Sequence, residues 1–336
     1  MIFTRTLAAL AFTTVAGVQV ANAAADFTKP INLYVGGGSG GGIDLVARLL
    51  SRHMEAYIPG KPRIIVSEMP GAGGIRLATY LVVQAPKDGT ALGAIAGGPV
   101  LEPLIGARHP GYDMSQFTWI GAISKDAGVC MSGAKSRFKT VEDLRKDAMT
   151  VAGTGAGSDT DTFPVLLNAM IGTKIKVVTG YKGSRETIMA IENGEVDGRC
   201  SFVLSGMKVA KPDWLKPGGA NLILQMALKR SPDLPDVPNI MELVSKEDDR
   251  QMLELMMAPQ EVARPFIGPP KMEADKAEAL RRAFDKTMTD PGFLDEARKM
   301  NVDVLPTKGE DVEAFIKKIY ATPKPVVDRL KSMINQ

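Results

Sequence analysis

Beyond residue 30, short apolar runs alternate with longer segments in which apolar side chains recur at helical spacing. The apolar runs predict strands at 31–35, 62–68 and 88–96, and the i, i+4 spacing predicts helices at 44–57 and 75–84. A glycine-rich turn follows each strand. Strands and helices that alternate with connections this short are typical of an α/β fold with a parallel sheet.

The alternation restarts near Ala122 and continues to about residue 225. Thr140 followed by Asp143 has the pattern of a capping box, so a helix is predicted to begin there. Further strands are predicted at 127–133, 149–154, 174–180 and 195–202, with helices between them, and a last strand in the segment 221–230. The pattern therefore predicts a second α/β lobe.

A proline-punctuated stretch, SPDLPDVPNI, separates this second lobe from a carboxyl-terminal part that is mainly helical. Helices are predicted there at 249–257, 271–288 and 308–334. These helices have few apolar partners of their own, so we expect them to pack on the first lobe and complete it.

The whole pattern predicts an α/β protein of two lobes, each a mostly parallel sheet flanked by helices, with a ligand cleft between them. Lobe 1 would comprise residues 26–124 and 226–336, and lobe 2 would comprise residues 125–225. The chain would cross between the lobes near 122–125 and again near 225–229, and these crossings would form a hinge.

Residues 1–25 have the order of a secretory signal peptide. One positive charge, Arg5, precedes an uncharged and mostly apolar stretch, which ends in the small residues of Ala-Asn-Ala. We predict export to the periplasm with cleavage near Ala23–Ala25. The alternative is a membrane anchor, but polar residues interrupt the stretch, which is short of the roughly 20 apolar residues of a spanning helix.

The chain contains two cysteines, Cys130 and Cys200, each in a predicted strand of the second lobe. Disulfides persist in exported proteins, and an even count permits one bridge. The alternative is a pair of buried free thiols, because the sequence gives no distance between the two residues.

Charge and composition exclude several classes of partner. Lys and Arg total 41 against 38 Asp and Glu, and this net charge of +3 favours neither nucleic acid nor an anionic membrane. With 6 Tyr and 2 Trp, the chain has little material for stacking on bases. The 2 histidines and 2 separated cysteines offer no metal-ligand spacing. We therefore expect no nucleic acid, no metal and no cofactor.

The first glycine-rich segment matches two enzyme motifs. From Gly36 to Gly41 it fits the G-x-G-x-x-G fingerprint of a Rossmann-type NAD-binding enzyme, although nicotinamide nucleotides are largely cytoplasmic. Around Ser39 it fits the G-x-S-x-G turn of hydrolases. A hydrolase needs a histidine base, and His53 is predicted in mid-helix while His109 is predicted in a surface turn. Both enzyme classes stay alternatives, but the hydrolase lacks a credible histidine base and the NAD-binding enzyme would need a cytoplasmic nucleotide.

Three loops, GGGSGGGID, MPGAGG and GTGAGSDT, share one form. Each follows a predicted strand and precedes a helix, where free backbone N–H groups and the helix dipole attract an anion. Ser39, Thr154, Ser158 and Thr160 add hydroxyl donors, or serve only as helix caps. Asp44 either stabilises the first helical turn or receives an ammonium or hydroxyl group of a ligand. Loops from both lobes together predict a small-anion site in the cleft.

Several segments occur in a characteristic order, namely GGGIDLVARLLSRHM, MPGAGGIRLA, PKDGTAL, GTGAGSDTDTF, GYKGSRETIMAIENGEVDG, PDLPDVPNIMEL and ARPFIGPPKMEADKAEALRRAFDKTMTDPGFLDEARKMNVDVLP. Together they resemble the substrate-binding proteins of tripartite tricarboxylate transporters, the Bug family, over essentially the whole mature chain. The resemblance implies a periplasmic binding protein type II fold that closes on a small carboxylate by hinge motion. One departure is Ile43, where the family commonly has threonine, and it removes one hydroxyl donor.

The resemblance also implies that backbone amides and ordered water in the glycine loops hold the ligand. With the hydroxyl donors above and Tyr181 as a wall, the predicted ligand-binding residues are Ser39, Gly40, Gly41, Gly42, Asp44, Gly71, Ala72, Gly73, Thr154, Gly155, Gly157, Ser158, Thr160 and Tyr181.

We therefore expect an exported, monomeric solute-binding protein for a di- or tricarboxylate or another organic acid. It would deliver its ligand to the integral-membrane permease subunits of a tripartite transporter, and it would catalyse no reaction. The alternative from a different class is a carboxylate sensor subunit that presents its closed form to a signalling receptor.

Overall fold

The computed structural model describes residues 26–334 with the exception of 41, 96, 107–109, 156–157 and 182. Within these residues the strands are β1 (Ile31–Val35), β2 (Ile64–Glu68), β3 (Ala91–Ala94), β4 (Thr118–Ser124), β5 (Gly128–Gly133), β6 (Met149–Ala152), β7 (Ile175–Val178), β8 (Gly198–Val203), β9 (Ala220–Met226), β10 (Ala263–Gly268) and β11 (Thr307–Lys308). They form a six-stranded sheet in the order β11-β4-β10-β3-β1-β2 and a five-stranded sheet in the order β7-β6-β8-β5-β9.

Helices flank both sheets. They are α1 (Gly42–Met54), α2 (Ile75–Val83), α3 (Gly98–Ile105), α4 (Val141–Lys146), α5 (Asp159–Ile171), α6 (Ser184–Asn193), α7 (Leu204–Ala210), α8 (Ile240–Leu243), α9 (Glu247–Glu261), α10 (Ala274–Thr287), α11 (Pro291–Lys299), α12 (Gly309–Tyr320) and α13 (Lys324–Ile334). The predicted capping box at the start of α4 is confirmed, because Thr140 accepts the N–H of Asp143 and the Asp143 carboxylate accepts the N–H of Thr140.

Both sheets are mixed, but four strands of each run in the same direction, as expected of mostly parallel sheets. β1 is parallel to β2 and β3, and β6 is parallel to β7 and β8. β10 is antiparallel to β3 and β4, and β5 is antiparallel to β8 and β9. The chain passes from the first sheet into the second through β5, and it returns to the first sheet through β10. These strands therefore begin at the edge where the parallel strands end, and they run against them.

The first sheet is packed on both faces. Alternate residues of β1, Ile31 and Leu33, are buried in one apolar cluster with Leu50 of α1 and Phe284 of α10. The other face is covered by α2 and α12, which meet the sheet around the fully buried Trp119 of β4. This sandwich fixes β1 and α1, and with them the position of the glycine loop that joins them.

From the sequence we expected the carboxyl-terminal helices to pack on the first sheet, but not all of them do. α10 and α12 contact β4, but α13 contacts α5 and α9 through a buried cluster that includes Leu330, Leu167 and Leu253. The predicted helix at 308–334 is also divided, since α12 ends at Tyr320 and α13 begins after Pro323. α9 and α13 thus join the core of the second sheet, so the lobe boundaries stay a prediction.

Cys130 on β5 and Cys200 on β8 face each other across an antiparallel strand pair, and their sulfurs are joined in a disulfide. The two residues are separated by 70 positions in the sequence. The structure therefore favours the bridge over two free thiols.

Candidate functional site

A cavity of about 540 Å³ lies where connections of both sheets meet. On the side of the first sheet it is lined by the starts of α1 and α3, represented by Gly42 and Gly98. On the side of the second sheet it is lined by Asp159, the first residue of α5, and by Val203 at the end of β8. A cavity of this size at the carboxyl ends of parallel strands suits a small ligand.

The glycine loop between β1 and α1 is tied to its own helix by Asp44. The buried carboxylate of Asp44 accepts the N–H of Gly40 at 2.8 Å and the Nε–H of Arg48 at 3.1 Å. Arg48 in turn donates to Glu68 at the end of β2. Burial acts to raise the pKa of Asp44, but the bond from Arg48, the N–H of Gly40 and the charge of Arg48 outweigh it, so the pKa is lowered. Asp44 thus stabilises the loop.

The two glycine loops of the first sheet lie against each other. A Cβ on Gly36 would come within 3.2 Å of Gly74 Cα, and the N–H of Met69 donates to the carbonyl of Val35 at 2.7 Å. Gly71, with φ at 146°, turns the second loop so that its carbonyl accepts the N–H of Gly74. The structure therefore brings these two predicted loops together.

The loop between β6 and α5 is tied by Asp161, a residue the sequence interpretation missed. Its Oδ2 accepts the N–H of Gly155 at 3.1 Å and the hydroxyls of Ser158 and Thr160 at 2.8 and 3.0 Å. Thr160 also accepts the N–H of Thr154 at 2.9 Å. These predicted donors are thus engaged within the loop itself. The missed signal was available, since Asp161 is the third residue of its helix, as Asp44 is.

The predicted ligand-binding residues fall into one loop cluster on each sheet. The first holds Ser39, Gly40, Gly42, Asp44, Gly71, Ala72 and Gly73, and the second holds Thr154, Gly155, Ser158, Thr160 and Tyr181. Gly42 lines the cavity, and Tyr181 donates its N–H to the carbonyl of Gly153 at 3.2 Å. Gly41 and Gly157 lie outside the described residues. Contact of these residues with a ligand stays a prediction.

Gln260 lines the cavity and was not predicted from the sequence. It lies at the end of α9, and its side-chain Oε1 accepts the N–H of Gly128 at 3.2 Å. Its main-chain carbonyl accepts the N–H of Asp126 at 2.9 Å. Gln260 is 7% exposed, and its Nε2 has no hydrogen-bond partner among the described residues. It therefore ties the end of α9 to the connection between β4 and β5, and it holds a buried donor without a partner.

Arg264 also lines the cavity and was not predicted. It is the second residue of β10, and its φ of 55° is in the left-handed region that a non-glycine residue rarely occupies. Its Nη1 lies 3.4 Å from the hydroxyl of Ser124 at the end of β4. Such backbone strain often accompanies a functional site, so Arg264 is a candidate cation for an anionic ligand.

The described residues give two further negative findings. No group of three or more His, Cys, Asp or Glu side chains among them is arranged to hold a metal ion. No helix in that same part of the chain is both long enough and apolar enough to cross a bilayer.

Two mixed sheets flanked by helices, with a cavity where the connections of both sheets meet, are the architecture of the two-lobed periplasmic binding protein fold. The profile of the tripartite tricarboxylate transporter family receptor, TctC, matches residues 46–331. The chain therefore belongs to this family of solute-binding receptors.

Two relatives show how far the sequence has diverged. A UPF0065 protein of Pseudomonas sp. strain P51 is 28% identical over 221 residues, which span 64% of this chain and 63% of that protein. A UPF0065 protein of Bordetella bronchiseptica is 26% identical over 296 residues, which span 86% of this chain and 82% of that protein. The chain thus aligns with just under two thirds of the first relative.

Solved structures share the fold. A ligand-free TctC solute-binding protein from Polaromonas gives a TM-score of 0.69 at 18% identity, covering 92% of this chain and 98% of that one. A Rhodopseudomonas palustris protein with adipate gives 0.62 at 18% identity, covering 92% and 98%. MatC from the same organism, with bound malate, gives 0.59 at 19% identity, covering 91% and 99%. At these identities the likeness supports the fold alone.

Proposed function

We propose that this protein is an exported, periplasmic solute-binding protein that captures a small carboxylate between its two sheets and delivers it to a tripartite permease. The family assignment supports solute binding, and the neighbours with malate and adipate support a carboxylate as the ligand. The protein catalyses no reaction in this proposal, so the bound acid is released unchanged.

The side-chain amide of Gln260 is the observation that carries the proposal. The N–H of Gly128 fixes Oε1, and this orientation leaves Nε2 buried and without a partner among the described residues, in a side chain that borders the cavity. A buried donor without an acceptor is costly, and a carboxylate oxygen is a strong acceptor. A bound acid would therefore complete a hydrogen-bond set that the protein leaves open.

The wall on the side of the first sheet supports the same ligand chemistry. Arg264 supplies a guanidinium, and Gly42 and Gly98 bring the amino-terminal ends of α1 and α3 to the cavity. Helix amino termini carry partial positive charge and free N–H groups. A carboxylate that accepts from Gln260 would meet all three sources of positive potential.

Gln260 also suggests how binding favours closure. Its carbonyl and its side chain hold Asp126 and Gly128, which belong to the first crossing and to the start of β5. The ion pair of Lys125 with Glu261, at 3.2 Å, also joins the connection between β4 and β5 to the end of α9. A ligand held at Gln260 contacts the hinge directly, and it would favour the lobe arrangement in which both walls reach it.

Titration calorimetry with malate, succinate, adipate and citrate tests the proposal, with thermal shift as a second readout. A ligand at 100 times its Kd should add about 2.7 kcal/mol to the free energy of unfolding. Gln260→Glu keeps the acceptor for the N–H of Gly128 but replaces the donor with a carboxylate. We expect it to weaken binding of the acid by roughly a hundredfold.

Gln116→Glu is the matched control, because Gln116 is exposed and does not line the cavity. It should bind as the wild type does. The proposal is wrong if none of the four acids binds the wild-type protein, or if Gln260→Glu binds the acid unchanged. The mass of the protein recovered from the periplasmic fraction tests export, and cleavage near Ala23–Ala25 is the expected result.

A further inference from the structure

The charge on the cavity wall does not match that of a polycarboxylate ligand. Within the described part of the chain, the wall includes three carboxylates, Glu102, Asp126 and Asp159, against one guanidinium, Arg264. An excess of carboxylates disfavours a di- or tricarboxylate, because like charges repel strongly where water is excluded. The wall therefore favours a ligand that brings a positive charge of its own.

Asp159 is an under-compensated carboxylate on this wall. Asp126, by contrast, is satisfied, since it accepts the N–H and the hydroxyl of Ser205 and the N–H of Ala127. Asp159 lines the cavity and is exposed, and nearby protein atoms partly desolvate its carboxyl group. This desolvation raises the pKa of Asp159, and the positive charge of Arg199 only partly offsets it. A ligand cation next to Asp159 would supply the missing compensation.

Arg199 does not line the cavity, and although its Nε has no partner among the described residues, its Nη1 is held by other groups. Its Nη1 donates to the hydroxyls of Ser184 and Thr187 at 3.0 and 2.9 Å, and its Cζ lies 4.5 Å from the ring centroid of Phe202. The residue is 8% exposed, and burial lowers its pKa to about 10. Arg199 is thus a charge behind the wall, whereas Asp159 is the group that a ligand meets.

The unpartnered Nε2 of Gln260 is independent of this charge count, and it favours a ligand that brings an acceptor. Gln260 and Arg264 lie on the segment by which the chain enters the first sheet. Asp159 begins α5 beside the second sheet. Arg264 and Asp159 therefore reach one cavity from the connections of different sheets, and Gln260 lies where the two meet.

We propose that the ligand is an amino-carboxylic acid, with its carboxylate at Gln260 and Arg264 and its protonated amine at Asp159. This inference rests on the proposed function, and it adds the chemical class of the ligand. One ligand end then binds each wall, so a molecule with both ends closes the lobes better than a molecule with either end alone.

Calorimetry with pentanoate, 5-aminopentanoate and glutarate tests the inference, because these probes share a five-carbon chain and differ in one end group. Butanoate, 4-aminobutanoate and succinate repeat the comparison with four carbons. We expect the amino acid of the better-fitting series to bind roughly tenfold or more tightly than its dicarboxylate partner. Asp159→Asn should abolish that preference, because the amine loses its partner while the acids lose a repelling charge and bind more tightly.

Asp147→Asn is the matched control, because Asp147 is an exposed surface carboxylate that pairs with Arg137. It should keep the preference for the amine. The inference is overturned if the dicarboxylate binds at least as tightly as the amino acid in both series, or if Asp159→Asn leaves the ratio unchanged. Absence of binding by every acid tested, malate and adipate included, would instead overturn the proposed function and this inference with it.

Discussion

The loops before α1 and α5 are two versions of one arrangement. Each joins a parallel strand to a helix, and the third residue of each helix is an aspartate that accepts a backbone N–H from the loop. Asp44 also has a cationic partner, Arg48, one helical turn later. Asp161 has hydroxyl groups as its other partners, and the position one turn later is Val165.

This difference determines what each loop offers a ligand. The guanidinium of Arg48 neutralises Asp44, so the start of α1 keeps the positive potential of its helix dipole. The start of α5 carries the charge of Asp161 and, beside it, that of Asp159. Similar glycine loops therefore give the cavity one wall suited to an anion and one wall suited to a cation. A glycine motif alone does not determine whether its site favours an anion or a cation.

The largest expected effect is a loss of stability in the second sheet relative to the first. Replacing both Cys130 and Cys200 with serine removes a link across a sequence separation of 70 residues. The loop-entropy relation predicts a loss of about 4 kcal/mol in the free energy of unfolding. Hydrogen exchange should show faster opening around Asp161 than around Asp44. Equal acceleration in both loops, or an unchanged melting temperature, would contradict this picture.

Truncation of the two aspartates to alanine is the next test. Asp161→Ala should cost about 3 kcal/mol of unfolding free energy, because one N–H and two hydroxyl groups lose their acceptor inside the loop. Asp44→Ala should cost only about 1–2 kcal/mol. Arg48, with a side chain 40% exposed, then keeps Glu68 as a partner and reaches water. Urea unfolding measures both values, and the reverse order would be inconsistent with the comparison.

Acidification should weaken both ties. Burial acts to raise the pKa of Asp161, but hydrogen bonds from Thr179, Ser158, Gly155 and Thr160 lower it below its usual value, as occurs at Asp44. A carboxyl group with a lowered folded pKa contributes stability that is present above its unfolded pKa and is lost as the pH falls through the folded pKa.

Urea midpoints between about pH 5 and pH 2 should therefore decline, and each alanine variant should decline less steeply. Salt sharpens the comparison, since about 1 M salt screens the Arg48 charge but not the neutral donors of Asp161. The acid-dependent contribution of Asp44 should shrink in salt, while that of Asp161 should persist. A salt effect of equal size in both variants would remove the distinction between the loops.

Local elements were predicted well because their patterns are local. β1 coincides with the predicted strand at 31–35, and the capping box places α4. β4 and β10 were missed. β10, ARPFIG, carries Pro265 and alternates poorly, and its strand character depends on pairing with β3 and β4, which are distant in sequence. No window of the sequence contains that pairing.

The site was predictable only as far as its loops. The glycine loops were found from composition, and Asp161 could have been found by analogy with Asp44. Gln260 and Arg264 carry no local signal, because one ends a helix and the other begins a strand. Their role depends on the cavity, which the chain assembles from segments far apart in sequence. For the same reason, the sequence did not reveal the excess of carboxylates on the cavity wall, Asp159 included.

A reciprocal exchange one turn after each aspartate is the most direct test of the comparison, with the smallest expected effect. Arg48→Val leaves Asp44 without its cation, as Asp161 is in the native protein. We expect a loss of about 1 kcal/mol and a few-fold weaker affinity for an acid, because Asp44 then opposes the helix dipole near Gly42 on the cavity wall. Arg52→Val is the control, because Arg52 lies on the same helix as Arg48 and its loss removes only a surface pair with Glu296.

Val165→Arg makes the opposite change, since Val165 is 37% exposed and stands four residues after Asp161. The new i, i+4 pair should add about 0.3–0.5 kcal/mol. By neutralising part of the acidic wall it should also weaken an amino acid ligand, while a dicarboxylate gains affinity. If Arg48→Val and Val165→Arg shift ligand preference in the same direction, the charge difference between the loops does not set the polarity of the cavity.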